Sequence, residues 1–380
     1  MAPLSSYWTL PKKDYQVYMQ VIDSPNEPEI DFPLVLRPAE REESLASTIS
    51  EISKIAPQPS DENGKSTIRK LLDTNGGAIQ IYGLPLRSAK DFLEFVTVLA
   101  GQGEHAWKPH VPAGLDVLPR SRAENVYISN EGPSSYFIGW SNSQAPSPLP
   151  PAYLILFCQT PASAGGETSL VNSIALHDRL AKQIPQFIKD YAEKGQVYSI
   201  PHSLSQESKI DPLIPDTDTV EERKTAVQER VHGLARVGGW HQGIDRSDES
   251  LPVWKRRIRV HPTLGKEAIF NAISTSFTRA NVHNTFEPPF KYTNKDGSTG
   301  IAVPPQFAGL EQDEVIPREW LATMDAWQHR LEASVTLDQG DVLIVDNLAV
   351  QHGRWAFSGE REVLVSFWDQ PGLATEPPAL

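Results

Sequence analysis

Gln339-Gly340-Asp341-Val342-Leu343-Ile344-Val345-Asp346-Asn347, with the segments Ala349 to Arg354 and Glu362 to Phe367 that follow it, decides the fold. Val335 to Leu337, Val342 to Val345, Ala349 to Arg354 and Glu362 to Phe367 read as four short strands. Asp338-Gln339-Gly340-Asp341, Asp346-Asn347 and Ser358-Gly359 separate them, and all three carry turn chemistry. Short strands at this spacing predict a sandwich or barrel.

Upstream, Tyr153 to Cys158 is a continuous apolar run that predicts a strand buried on both faces. Asn125 to Ile138 reads as strand and turn, and Arg257 to Phe270 as strand-like around the turn at Pro262 to Gly265. Helices are expected from Ser66 to Asp73, from Ser88 to Leu99, from Ile174 to Tyr191 and from Pro317 to Leu331. Gly77 opens a short strand, Ala78 to Tyr82. The first 65 residues are rich in Pro and Glu and weakly patterned, so residues 1–65 are expected to wrap the body rather than form core. Residues 66–380 then form the main domain, with a polar insertion or lid at about 202–250.

The net charge of −13 argues against nucleic acid or an anionic membrane as a main partner, because both require basic patches. The single cysteine, Cys158, permits no intrachain disulfide and sits in an apolar run, which predicts a buried inert thiol. The N-terminus lacks the order of a signal peptide, and no apolar run approaches the ~20 residues that span a bilayer. A soluble, cytoplasmic protein with a small-molecule substrate is the expectation, and the oligomeric state is open.

The closing segment, with His352-Gly353-Arg354 and Gly359-Glu360-Arg361, resembles that of the TauD-like iron(II)/2-oxoglutarate dioxygenases, nearest their fungal, clavaminate synthase-like branch. Asn130-Glu131-Gly132-Pro133, Cys158-Gln159-Thr160-Pro161-Ala162, Gly165-Gly166-Glu167-Thr168 and His261-Pro262 to Asn271 follow in family order. The resemblance implies a mainly β chain with flanking helices (α+β) built on a double-stranded β-helix, the cupin-like jelly roll. It also implies iron(II) and 2-oxoglutarate. The iron is normally held by a His-x-Asp/Glu pair and a distal His, with open positions for oxygen and substrate.

Here the chain departs from the family. Counted from both flanking motifs, the His-x-Glu place is occupied by Ser141-Asn142-Ser143, and none of the ten histidines is followed two residues later by Asp or Glu. Only the distal His352 remains, so no metal and no cofactor are expected. Iron(II) with 2-oxoglutarate, through an atypical ligand set, is the alternative. By resemblance, Thr168 and Arg361 stand where the family binds the 2-oxoglutarate carboxylate, with Arg354 beside them. The catalytic candidates are His352, Ser141 and Ser143, with Asp346 a candidate orienter of His352. Trp140, Asn142, Trp240, His241 and Lys108 are expected to line the pocket, while His105, Lys108 and His110 also read as a solvated loop. The sequence therefore predicts a dioxygenase homologue without iron that isomerises, dehydrates or cyclises a small natural-product intermediate, or performs a pericyclic step on it. An oxygenase with disguised ligands and a non-catalytic binding subunit stand as alternatives.

Overall fold

The computed structural model describes residues 8–9, 32–38, 44–56, 66–110, 120–129, 132–145, 150–198, 219, 222, 254–256, 258–294, 297–308 and 313–371. Ten strands matter for the site. In chain order they are β1 (Leu34–Pro38), β2 (Ala78–Ile81), β3 (Val126–Ile128), β4 (Ile138–Ser141), β5 (Tyr153–Thr160), β6 (Thr168–Asn172), β7 (Ala333–Val335), β8 (Val342–Asp346), β9 (Val350–Arg354) and β10 (Glu362–Asp369).

They form two sheets. The larger runs β1-β2-β8-β5-β10-β3, with Trp8–Thr9 and Ser121–Ala123 at its two edges and Lys108–Pro109 paired to the end of β10. The smaller runs β7-β6-β9-β4. All pairings named here are antiparallel except β1 with β2. The two sheets face one another in the double-stranded β-helix arrangement. Leu154, Leu156, Val345, Val363, Val365 and Phe367 of the larger sheet meet Leu170, Val335 and Val350 of the smaller one in a shared apolar cluster. Successive residues of a strand point to opposite faces, so each of these strands also has an outer face.

Helices cover both outer faces. α1 (Leu45–Ile55), α2 (Thr67–Thr74) and α3 (Ala89–Ala100) lie behind the larger sheet, where Ile52, Leu71, Phe92 and Phe95 pack on Ile79, Ile155 and Ile344. α4 (Ser173–Gln183), α5 (Pro185–Lys194), α6 (Ile273–His283) and α7 (Arg318–Leu331) lie behind the smaller one. Local signals start several of them. Ser66 and Ser88 accept backbone N–H bonds at the first turns of α2 and α3, and Asn172 ends β6 while capping α4 through Ala175 N at 2.8 Å.

Two expectations change. The single helix expected over Ile174 to Tyr191 is two, because Pro185 cannot continue α4 and instead occupies the first turn of α5. The first 65 residues do more than wrap: Phe32, Leu34, Leu36, Ile52 and Ile55 are core residues, and β1 pairs with β2 inside the larger sheet. Most of the expected insertion, including Trp240 and His241, lies outside the described residues. Among the described residues no helix is long and apolar enough to cross a membrane.

Candidate functional site

The site grows from the inner face of the smaller sheet. β9 presents Val350, His352 and Arg354 inward, while Gln351 faces α7 and bonds Gln328 there. Across one ladder His352 stands opposite Leu170, and across the other opposite Ser141. The row Leu170, His352, Ser141 therefore crosses three strands on the pocket side. One step along, Thr168 stands opposite Arg354.

Ser141, expected to meet His352, is its cross-strand neighbour. Ser143 is placed differently: β4 ends at Ser141, and Ser143 sits in the turn that follows. That turn is held by amides. Asn347 Oδ1 accepts Ser143 N at 2.7 Å, and Asn347 Nδ2 donates to Ser143 O at 3.0 Å and to Pro151 O at 2.8 Å. Asn142 is 2 % exposed, donates to Asn347 O and Val350 O, and accepts Asn271 N. Its hydrogen-bonding groups are thus used up in joining strands, so its position is structural rather than pocket-lining. Trp140 is likewise corrected. It is fully buried on the outer face, donates from Nε1 to Ser169 Oγ at 2.6 Å and meets Phe137 edge-on among the residues of α4, α6 and α7. Gly139 permits this packing, since a Cβ there would lie 2.5 Å from Ser274 O at the start of α6.

The electrostatics of the pocket are unusual. His352 Nδ1 is enclosed without a hydrogen-bond partner, and burial pushes the imidazole pKa down to about 4. His352 is therefore neutral at pH 7. Asp346 does not orient it: that carboxylate is committed to Arg69 at 2.6 Å and to His261 at 2.9 Å. Arg354 is buried, and its guanidinium donates only to the backbone oxygens of Gly132, Pro133 and Trp355 and lies over the Phe357 ring. Its Nε has no hydrogen-bond partner among the described residues. Burial and the neighbouring Arg361 push its pKa down to about 10. Arg361 gives its Nε to Gly166 O at 3.1 Å, and burial also lowers its pKa. Gly166 has φ +78°, and a Cβ on it would lie 3.0 Å from Arg361, so glycine there lets the guanidinium rest against the turn. Among the described residues neither arginine has a carboxylate within ion-pair distance. Cys158 borders Arg361, and burial pushes its thiol up to about 12, as expected of an inert core cysteine.

A jelly roll with His352 and Thr168 on the inner face of the smaller sheet and Arg361 just before β10 of the larger one is the frame that the sequence motifs anticipate. The family described as "Taurine catabolism dioxygenase TauD, TfdA family" matches residues 43–368. The chain belongs to the TauD/TfdA family. Its curated relatives include a clavaminate synthase-like protein of Arabidopsis thaliana, 24% identical over 298 residues, covering 76% of this chain and 81% of that one. They also include the dapdiamide synthesis protein DdaC of Enterobacter agglomerans, 26% identical over 295 residues, covering 77% and 82%. Among solved structures, AAD-2 in complex with Mn(II) and N-oxalylglycine aligns over 90% of this chain and 95% of that one, with TM-score 0.46 and 11% identity. A putative α-ketoglutarate-dependent taurine dioxygenase of Burkholderia xenovorans aligns over 88% of each chain, with TM-score 0.43 and 14% identity.

Among the described residues, the side chains that the resemblance puts at the ligand positions of this TauD-family chain do not fit iron. At the ligand positions stand two neutral hydroxyls, Ser141 and Ser143, and one imidazole. None of them supplies the negative charge that offsets a divalent ion in a partly buried site. Among the described residues no group of three His, Cys, Asp or Glu side chains could hold a metal.

One cluster escaped the sequence reading. His110 is not in a solvated loop; it is 5 % exposed. Its Nδ1 lies 2.9 and 3.0 Å from the two Asp369 oxygens, and its Nε2 lies 3.1 Å from Gln144 Oε1. His105 and Lys108 are exposed, as expected of a loop, with Lys108 paired to Asp369 at the end of β10. No local signal marks His110, because its partner lies 259 residues away.

Proposed function

We propose that this TauD-family protein binds a small organic acid between its two sheets and turns it over without iron, by a redox-neutral step such as isomerisation, dehydration, cyclisation or a pericyclic reaction. The observation that carries the reading is the cross-strand pair of Ser141 and His352, close to Arg354 and Arg361, neither of which has a carboxylate within ion-pair distance among the described residues. A buried guanidinium with unused donors is costly unless an anion completes it, and the fork of Arg361 matches a carboxylate. With the acid anchored there, catalysis would come from holding a reactive conformer and from placing neutral hydrogen-bonding groups, Ser141 and His352, beside developing charge. A neutral buried His352 is a weak base at pH 7 but a capable hydrogen-bond partner. The test is metal analysis of the purified full chain after anaerobic iron(II) loading, with calorimetric titration of 2-oxoglutarate. The expected result is iron far below one equivalent. Near-stoichiometric iron with succinate release would overturn the reading.

A further inference from the structure

β10 joins two chemically opposite poles. Arg361 immediately precedes the strand, and Val363, Val365, Phe367 and Asp369 follow at two-residue spacing on the face turned to the smaller sheet. Val363, Val365 and Phe367 form the apolar middle, with Tyr127 opposite Val365 and its ring 6.0 Å from that of Phe367. The far end is polar again. His110 N donates to Phe367 O, which puts the imidazole on the same face, and the ring then spans the gap between the sheets to Gln144, in the turn after β4.

This end is a built arrangement. The His110 side chain is 2 % exposed and holds Asp369 on one side and Gln144 on the other, while the Asp369 side chain remains 39 % exposed. Both oxygens of Asp369 and the amide of Gln144 are thus oriented by a buried ring, with accepting capacity to spare. We propose that Asp369 and Gln144, positioned by His110, form a second subsite that takes the hydroxyl or amino end of the substrate. The substrate class is then an elongated acid carrying a hydrogen-bond donor at the end remote from its carboxylate. This rests on the acid-binding reading above and extends it from one pole to two.

The separation of the poles sets the probe. Eight residues part Arg361 from Asp369, roughly 26 Å at about 3.3 Å per residue, less the reach of the two side chains. Straight-chain acids of increasing length bracket that span, so the test titrates three series: the parent acids, their ω-hydroxy forms and their ω-amino forms. Affinity is read by calorimetry, and the imidazole resonances by NMR of the histidine-labelled full chain, with His110 assigned through His110→Asn. The expected result is a tenfold or larger advantage for one donor-bearing series at one chain length, with the His110 resonance moving for that series alone. In Asp369→Ala the advantage should fall to within twofold. Should His110→Asn fail to fold, the wild-type affinities and Asp369→Ala still decide the question. Equal affinity for all three series, with Arg361→Ala abolishing it, would overturn the second subsite and leave the acid-binding reading standing. No binding by any series would overturn both.

Discussion

Two buried clusters in this molecule combine arginine with histidine, and they are built on opposite plans. Behind the larger sheet Arg69 of α2 bonds Asp73 and Asp346 at 2.6 Å each and the Tyr153 hydroxyl at 3.0 Å, while His261 gives its Nε2 side to Asp346 and accepts Leu264 N at Nδ1. Burial works against the charges, but opposite charge wins: Arg69 is raised by Asp346 and Asp73, and Asp346 is held well below the usual carboxylate range by Arg69 and His261. Between the sheets, Arg354, Arg361 and His352 have no acidic group within ion-pair distance among the described residues, and there burial wins, lowering all three. The first cluster is closed and structural; it ties α2, β8 and the turn after Val260 together. The second is open, and an open buried cluster is where a ligand supplies what the protein omits.

The comparison breaks most visibly at Asp346. Asp346→Asn removes one of the two charges that neutralise Arg69 and turns one of the acceptor oxygens facing Arg69 and His261 into a donor, so it should cost about 3–5 kcal/mol in urea unfolding at pH 7. A loss under 1 kcal/mol would show that the closed cluster is not structural.

His352 should give the next largest effect, through pH. Its folded pKa, about 4, lies below its unfolded value near 6.5, so on acidification the unfolded chain takes up the proton first. Stability from the neutral ring is therefore complete above pH 6.5 and lost as pH falls towards 4. The loss reaches at most about 3 kcal/mol, less whatever pocket water screens. His352→Leu should flatten the acid limb of a stability–pH curve by that amount, and an unchanged limb would mean the ring already finds a partner for its charge.

Arg361 should give the smallest change in stability and the sharpest change in binding. Arg361→Ala removes a charge without stranding a partner, so unfolding should shift by less than about 1 kcal/mol. Affinity for carboxylic acids should fall about 10–100-fold, the loss expected for hydrogen bonds to a charged group. If stability falls instead and affinity holds, the open cluster is structural after all.

The closing strands were legible because their signals are local: alternation, β-branched residues and turn chemistry lie within a few positions of one another. The same holds for the serine caps of α2 and α3. The pairing of β1 with β2 was not legible, since Phe32 to Pro38 has no clean period and its partner is distant in the chain. At the site, the placement of Ser141 beside His352 was readable only through spacing from flanking motifs. Strand alternation turns Trp140 and Asn142 away from Ser141, and their expected place in the pocket lining gives way to the buried contacts of Trp140 with Ser169 and of Asn142 with Asn347. Asp346 is near His352 in sequence, but Arg69 and His261, brought from a helix and a distant turn, occupy it. The His110–Asp369 pair lies at the two ends of the fold and has no sequence signature.

The strand that carries Ser141 is fastened at its end by Asn142, Asn271 and Asn347. Its architecture and its chemistry are therefore separable inheritances. Substitutions at Ser141 or His352 leave these amide bonds untouched. Descent could then rewrite the pocket wall one side chain at a time, with each intermediate still folded.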